Sequence, residues 1–455
     1  MQMLSRRVVG QMLFAFLIFA RPTGAVSQEA DLSTLTLERA EQLLQARNRE
    51  LQAARRVVEA ARANTLSAGA PPNPTLSVGV SQINPTEGVG SGPYKDKIVD
   101  SSIRIDQLIE RGDKRELRIA NATRLESASA EDFSDTYRQQ RLALRSAYYD
   151  LLLAQDKLDI ARENVSLYER SVQAAELRLK AGDIAAADVS RLRVDALRAE
   201  NDARAAEADL RRAQLGLAYM IGAERQADTI RASDPWPALV PAQAGEITDG
   251  LINRRPDVRA AKDRMDAAEK ARELARSLRT RDVTVGVQYD HYPVNPAYAQ
   301  GSGAGTGNTY GVFVSVPLFA RYYYEGEIQG AEVNYNAARE TLDKVRAQAR
   351  SELMRALSDV QAAEARLNRY DGSLLGEARK AADSAEFAYK NGAIGVMDLL
   401  DSRRTLRSIQ LDAVSARNDY AKALAAWQAG LGMLGGERAA RETGISGSEE
   451  ARGAK

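Results

Sequence analysis

The chain has 455 residues, with 63 Lys and Arg against 62 Asp and Glu and a formal net charge of +1, so no basic surface for nucleic acid is predicted. It contains no cysteine, which excludes disulfide bonds, thiolate chemistry and a lipid-modified N-terminal cysteine. An aromatic content of only 6 %, with abundant Ala, Arg and Glu, is typical of long helices.

Residues 1–27 have the pattern of a secretory signal peptide. Two arginines precede the apolar stretch from Gln11 to Ala20, and small residues follow through Ser27. The stretch is too short for a permanent membrane helix, which needs about 20 apolar residues. We therefore predict export and removal of this segment. A buried N-terminal helix is the alternative, and the Pro and Gly behind the stretch argue against it.

The rest of the chain consists of two copies of one unit. Gly79 recurs 207 positions later as Gly286, and beyond a loop of unequal length the spacing becomes 210, so that Gly182 corresponds to Gly392. Each copy predicts a helix, a strand, a loop, a second strand, a very long helix, a glycine turn and a last helix. The predicted domains are a first repeat at 36–222, a linker or equatorial segment at 223–245, a second repeat at 246–432 and a tail at 433–455.

Two short segments precede the long helix of each copy. In Thr75–Ser81 and Val283–Asp290, apolar residues alternate with small or polar ones, which predicts strands with one apolar and one polar face. Ser102–Asp106 and Tyr310–Val316 are their predicted partners. The chain therefore contributes four strands.

Proline is absent from Tyr94 to Asp234 and from Leu318 to Lys455, and an interior proline costs a helix about 3 kcal/mol. In both regions apolar residues recur on average every 3.5 positions, which predicts coiled helix packing. A single helix over residues 113–180 would be about 100 Å long at 1.5 Å per residue. The predicted fold class is mainly α with a small β part.

The strands bear on where the protein resides. After the signal segment no apolar stretch approaches the length of a membrane helix, so an integral membrane role would require strands. Four strands cannot close a barrel, which needs about eight, and lipid does not tolerate open sheet edges. Three chains would supply twelve strands around one axis. The alternative class is a soluble periplasmic scaffold of coiled helices.

Over roughly residues 36–434 the chain resembles the TolC-type outer-membrane efflux ducts. The resemblance rests on the doubled layout and on four short motifs: Asn73-Pro-Thr-Leu before the first strand, Pro317-Leu-Phe319 after the fourth, and the tip turns Lys180-Ala-Gly-Asp-Ile184 and Lys390-Asn-Gly-Ala-Ile394. It implies a homotrimer with a twelve-stranded outer-membrane barrel, a periplasmic helical tunnel and an equatorial girdle.

The same resemblance implies partners and a location. It implies a periplasmic adaptor protein, an inner-membrane pump and outer-membrane lipid as partners, in the outer membrane of a Gram-negative bacterium with an extension into the periplasm. The implied function is a passive exit duct of a tripartite efflux pump or a type I secretion system. Gly182 and Gly392, where the helices reverse, are the implied adaptor contacts.

The resemblance also implies a gate at the periplasmic end. Asp398 and Asp401 would form acidic rings that constrict the entrance, and Tyr389 and Asp188 would form a latch between neighbouring helical pairs. Ile394 stands where the family's latch has an arginine, so the chain departs from the family pattern there. The alternative for the two ring residues is an ordinary solvated acidic position on a helix.

A further resemblance concerns the substrate. Gln107-Leu-Ile-Glu-Arg-Gly-Asp-Lys-Arg115 agrees at six of nine positions with a stretch found in heavy-metal efflux ducts, which makes heavy-metal cations a candidate cargo. The alternative is that this segment, with its glycine and charged residues, only begins the long helix. Drugs, other small molecules or proteins are the alternative cargoes. With His291 as the single histidine and no cysteine, neither an enzyme nor a cofactor is predicted.

Overall fold

The computed structural model describes residues 32–83, 85, 86, 93, 99–240, 247–292 and 307–432. The predicted signal peptide, the predicted tail and most of the two strand-connecting loops lie outside these residues.

The first copy contains one exceptionally long helix. Its elements are α1 (Leu37–Arg47), α2 (Arg49–Gly69), β1 (Thr75–Ser81), β2 (Asp100–Ile109), α3 (Lys114–Ala181) and α4 (Ala186–Ile221). Helix α3 runs without interruption for 68 residues, which is about 100 Å at 1.5 Å per residue. Apolar residues that recur every 3.5 positions, and therefore repeat every seven residues, form a buried stripe along this helix, as predicted. Leu144, Leu151 and Leu158 on this stripe are inaccessible to solvent or nearly so.

The second copy repeats the order of elements. It contains α5 (Asp249–Asn253), α6 (Pro256–Ser277), β3 (Val283–Tyr292), β4 (Gly307–Ser315), α7 (Glu325–Arg369), α8 (Leu375–Lys390) and α9 (Val396–Gly430). The predicted fold class, mainly helical with a small sheet, is confirmed.

The second long helix differs from the first at one point. Tyr370–Leu374 forms a π-helical turn between α7 and α8. A π turn adds a residue to the helix and rotates the faces of everything that follows. Leu374, which the seven-residue pattern places on the buried stripe, is therefore 42 % exposed, and the sequence-based prediction was wrong for this residue.

The four strands form one antiparallel sheet in the order β1-β2-β3-β4. The central pair joins the two copies, with Ile103 opposite Tyr289 and Ile105 opposite Val287. Strand β2 is longer than predicted because its partner β3 extends over ten residues, and β4 begins three residues before its predicted start. Strands β1 and β4 each have a neighbour on one side only, so both outer edges of the described sheet carry unpaired backbone groups.

The linker is fixed to the helices by a buried tyrosine. The Tyr148 hydroxyl of α3 lies 2.8 Å from the Leu35 carbonyl oxygen and 3.0 Å from the Asp234 carboxylate. It also accepts hydrogen bonds from the backbone N–H groups of Ser233 and Asp234. Burial raises the pKa of this hydroxyl far above its ordinary value, so it remains a proton donor.

The second copy holds the same linker with a tyrosine of its own. The Tyr420 hydroxyl of α9 accepts a hydrogen bond of 2.9 Å from the Val240 backbone N–H. Between these two anchors, the Trp236 indole donates a hydrogen bond of 2.9 Å to Asp156 and stacks on Tyr149. The part of the linker that the structure describes therefore lies flat against helices of both copies.

We expect Tyr148→Phe to loosen this attachment, because it removes the hydroxyl shared by the Leu35 carbonyl and the Asp234 carboxylate. The loss should lower the free energy of unfolding by on the order of 1–3 kcal/mol, measured by chemical denaturation in detergent. Tyr149→Phe is the matched control, since it changes the adjacent ring and none of these contacts. Equal effects of the two changes would contradict the role given to the Tyr148 hydroxyl.

Candidate functional site

One face of the sheet is apolar and exposed. Strand register places these side chains on the same face: Leu76, Val78, Val80, Ile103, Ile105, Val285, Val287, Tyr289, Tyr310, Val312 and Val314. Tyr310 is 82 % exposed, Val312 75 % and Val78 69 %. Ordinary soluble domains rarely expose so continuous an apolar surface. This face therefore requires an apolar environment outside the chain.

None of the helices in the described residues combines the length and the apolar character needed to cross a membrane.

The strand-to-helix junction is built on a buried lysine. The Lys114 ammonium, at the start of α3, donates 2.8 Å hydrogen bonds to the Thr280 carbonyl and the Asp282 carboxylate. The Arg111 backbone N–H donates to the same carboxylate at 2.9 Å. Gly112 has a φ of +73° and packs so closely on Thr280 that a Cβ would lie 2.8 Å from it. The segment before α3 is thus bound to the start of β3 in the other copy.

This junction accounts for most of the segment that resembles heavy-metal ducts. The Gln107 amide donates to the Pro72 carbonyl at 3.0 Å, and the Arg115 guanidinium donates to the Gly69 carbonyl at 2.7 Å. Glu110 forms a two-pronged ion pair with Arg118, which lowers the pKa of Glu110 and raises that of Arg118. These residues bind protein groups at the base of the sheet, as the helix-start alternative predicts.

Two glycine turns form the far end of the helices. Gly182 ends α3 with φ +85°, and its backbone N–H bonds to the Arg178 and Leu179 carbonyls. Gly392 lies between α8 and α9 with φ +73°. A Cβ at either position would meet no other atom within 4 Å. Both turns are therefore open surfaces whose backbone favours glycine.

Asp398 and Asp401 lie on one exposed face at the start of α9. The opposite face buries Val396, Leu399 and Leu400. The Asp398 carboxylate accepts a hydrogen bond of 3.3 Å from the Gly395 backbone N–H, so it also stabilises the beginning of the helix. Within the described part of the chain no cation pairs with Asp401. Both carboxylates are thus exposed on the surface of the chain.

The predicted latch residues do not meet within one chain. Asp188 lies 3.5 Å from Arg191, one turn along its own helix. The Tyr389 hydroxyl is buried without a hydrogen-bond partner among the described residues. The Tyr389 ring lies 5.1 Å below the Arg178 guanidinium, which also donates to the Tyr389 carbonyl at 3.4 Å. A latch between Tyr389 and Asp188 of different subunits stays a prediction.

A set of arginines on α9 was not predicted. Arg404 binds both oxygens of Asp195 on α4 at 2.9 and 2.7 Å, and Arg407 binds Asp202 at 2.7 Å. Arg403 contacts Glu386 on α8, and the hydrogen bond from Lys390 together with the Arg403 charge lowers the pKa of Glu386. The signal in the sequence was Asp195 itself, a charged residue within the Ala-rich buried stripe of α4.

Comparison with models of known protein families identifies the family of this chain. The family model described as outer membrane efflux protein matches residues 40–223 and 248–433, which is most of both copies. The chain belongs to the outer membrane efflux protein family. The predicted resemblance is confirmed, as is the absence of an enzymatic role, because members of this family are channels.

Several relatives resemble most of the chain of this efflux protein. It is 24 % identical over 374 residues to the cobalt-zinc-cadmium resistance protein CzcC of Cupriavidus metallidurans, covering 82 % of this chain and 84 % of the relative. It is also 24 % identical over 423 residues to the pyoverdine export outer membrane protein OpmQ of Pseudomonas putida, covering 84 % of each. The crystal structure of VceC of Vibrio cholerae aligns with a TM-score of 0.70 at 20 % identity, over 87 % of this chain and 96 % of that one.

Family membership also fixes the location. The protein is an efflux channel of the outer membrane of a Gram-negative bacterium, and it extends into the periplasm, as predicted. The alternative of a soluble periplasmic scaffold is set aside, because it gives no account of the family match or of the exposed apolar face.

We expect Lys114→Met to damage the whole channel rather than its choice of cargo. The change leaves Asp282 without its cation and should lower the free energy of unfolding by on the order of 1–3 kcal/mol, measured by chemical denaturation in detergent. Export should fall in proportion to the amount of folded protein, whichever compound is exported. Lys380→Met is the control, since Lys380 is 75 % exposed. Reduced export with unchanged stability and an unchanged amount of folded protein would contradict the junction role.

Proposed function

We propose that this efflux protein is the passive exit duct of a tripartite pump and works as a homotrimer with a periplasmic adaptor and an inner-membrane pump. Type I secretion is the related role in which the same duct would carry protein. The observation that carries the proposal is the sheet, which has two open edges and an apolar face that is largely exposed.

The open edges support a trimer. A barrel needs about eight strands, and each chain has four in one sheet. If β4 of one chain pairs with β1 of the next, three chains close a twelve-stranded barrel and no edge remains exposed to lipid. The apolar face then contacts the lipid hydrocarbon, and the polar face lines the lumen.

The long helices would form the periplasmic tunnel. Helices α3 and α7 both begin at the same end of the sheet, because β2 and β4 run parallel to one another with β3 between them. Helix α3 extends about 100 Å from that end at 1.5 Å per residue. We assign the segment 223–245 to the equatorial girdle, since its described part lies flat against helices of both copies.

We propose Asp398 and Asp401 as the gate at the periplasmic mouth. Three copies of each carboxylate around one axis would repel one another and attract cations. Ile394 cannot supply the arginine of the family's latch, and in this chain Arg178 is the cation that contacts Tyr389. We retain Tyr389 and Asp188 as the proposed latch between subunits, as the family resemblance implies. The Tyr389 hydroxyl is buried without a described partner in its own chain, so it would have to turn outward to reach a neighbouring subunit.

The turns at Gly182 and Gly392 are the proposed adaptor contacts. Each turn stands at the end of a helical hairpin and leaves open space around its glycine. A partner could therefore approach the backbone of both turns without displacing a side chain of this chain.

Two cargo classes have support among the relatives. CzcC is named for resistance to cobalt, zinc and cadmium, and OpmQ for pyoverdine export, at the same 24 % identity. We propose heavy-metal cations as the cargo, because the acidic gate would favour cations over anions. Export of small organic molecules is the competing proposal. Within the described residues, no group of three or more His, Asp and Glu side chains could hold a metal ion.

The function can be tested by fractionation and by efflux. We expect the protein in the outer membrane as a heat-labile trimer on a gel. Deletion of its gene should sensitise the host to divalent metal salts, and restoring the gene should reverse the effect. Recovery as a monomer in the soluble periplasm would overturn the duct. Outer-membrane trimers whose loss affects organic compounds and leaves metal tolerance unchanged would overturn the metal cargo alone.

The gate predicts a loss of cation block in planar bilayers. Asp401→Asn should raise conductance and weaken block by divalent cations roughly ten-fold, since one ring of charge is removed. Asp398→Asn should act in the same direction and keep the hydrogen bond to the Gly395 N–H. Glu377→Gln is the control, because Glu377 is 70 % exposed on α8 and already paired with Lys380. If cation block is unchanged in both aspartate variants, the gate is contradicted, and Asp398 and Asp401 are ordinary solvated acidic residues.

A further inference from the structure

The polar face of the sheet carries a compact charged cluster far in sequence from the proposed gate. The Arg104 Nε donates a hydrogen bond of 2.8 Å to Asp106 Oδ1 on the same strand. The Arg104 guanidinium also lies 4.7 Å from the centre of the Phe313 ring on β4. The arginine therefore lies along the sheet across β3, held by a carboxylate and by a ring face.

Two glycines make room for this cluster. Gly286 lies opposite Asp106, and a Cβ on it would fall 2.1 Å from the Asp106 carboxylate. A Cβ on Gly311 would fall 2.8 Å from the Phe313 ring. Any larger residue at either position would push the charged groups or the ring away from the sheet. The two glycines thus allow the side chains of Arg104, Asp106 and Phe313 to lie against the sheet.

The charge on this face is unbalanced. By strand register, Asp100 and Asp290 lie on the same face as Arg104 and Asp106. Asp106 compensates Arg104, whereas Asp290 accepts a neutral hydrogen bond from the Gln288 amide at 2.7 Å and pairs with no cation among the described residues. Among the described strand residues of this face, three carboxylates against one guanidinium leave a net charge of −2 in each chain.

We infer that this face is a second, cation-favouring selectivity belt inside the outer-membrane barrel, with Arg104 and Asp106 as its specificity-determining pair. The inference rests on the proposed trimer, in which the polar face lines the lumen. The confined charge of three chains raises the local concentration of cations and lowers that of anions along the exit path. Asp106 matters because it cancels the charge of Arg104, which would otherwise oppose cations.

The test uses single and double charge changes in purified, full-length protein. Reversal potentials are measured in planar bilayers across a KCl gradient. Asp106→Asn exposes the charge of Arg104 and should lower the ratio of K⁺ to Cl⁻ permeability by about two-fold, whereas Arg104→Gln should raise it by about two-fold. The double variant Arg104→Gln/Asp106→Asn keeps the net charge of the face and is the matched control, so its ratio should stay near that of the unchanged protein.

The same variants are repeated with Asp398→Asn and Asp401→Asn present, so that the periplasmic mouth cannot mask the contribution of the sheet. Opposite shifts in the two single variants support the belt, since mere disruption of the barrel would move both in one direction. Unchanged ratios, or shifts of the same sign, in channels that still form heat-labile trimers would overturn the belt and leave the duct intact. If the unchanged protein formed neither trimers nor channels, both the proposed duct and the proposed belt would be contradicted.

Discussion

The pairing of β2 with β3 is the interaction on which the rest of the molecule depends. Alone, each copy has a two-stranded ribbon, which is marginally stable in water. The central ladder joins both ribbons into one four-stranded sheet, and the buried Lys114 fastens the same junction through Asp282. Because the copies share a sheet, their long helices α3 and α7 leave it in one direction, and α6 packs against both of them.

Sequence patterns predicted the elements whose cause is local. The seven-residue repeat identified the buried stripes of the helices, and the alternation in Thr75–Ser81 and Val283–Asp290 identified two-faced strands. Glycine turns with positive φ at 182 and 392 marked the helix reversals. Each of these signals lies within a few residues of the feature that it predicts, so a single sequence contains enough information to predict that feature.

Features set by distant contacts were not predictable. The ends of β2 depend on the length of its partner β3, which lies about half the chain away. The burial of Lys114 requires a carbonyl and a carboxylate from the second copy, and the α4 to α9 ion pairs join residues more than 200 positions apart. The π turn at Tyr370–Leu374 follows no local rule visible in the sequence. The candidate gate combines a local and a distant feature. The exposure of Asp398 and Asp401 follows from the apolar pattern of α9 and was predictable. The contact of Tyr389 with Arg178 joins the two copies and was not.

The π turn keeps the two helical tips alike. Before the turn, the buried Leu353, Val360 and Leu367 of α7 lie 209 positions after the buried Leu144, Leu151 and Leu158 of α3. After it, the buried Ala378 and Ala382 of α8 lie 210 positions after Tyr168 and Val172, which is also the spacing of Gly182 and Gly392. The turn thus absorbs one extra residue, so that both hairpins bury the same stripe near their tips and present the same outer face to whatever approaches them.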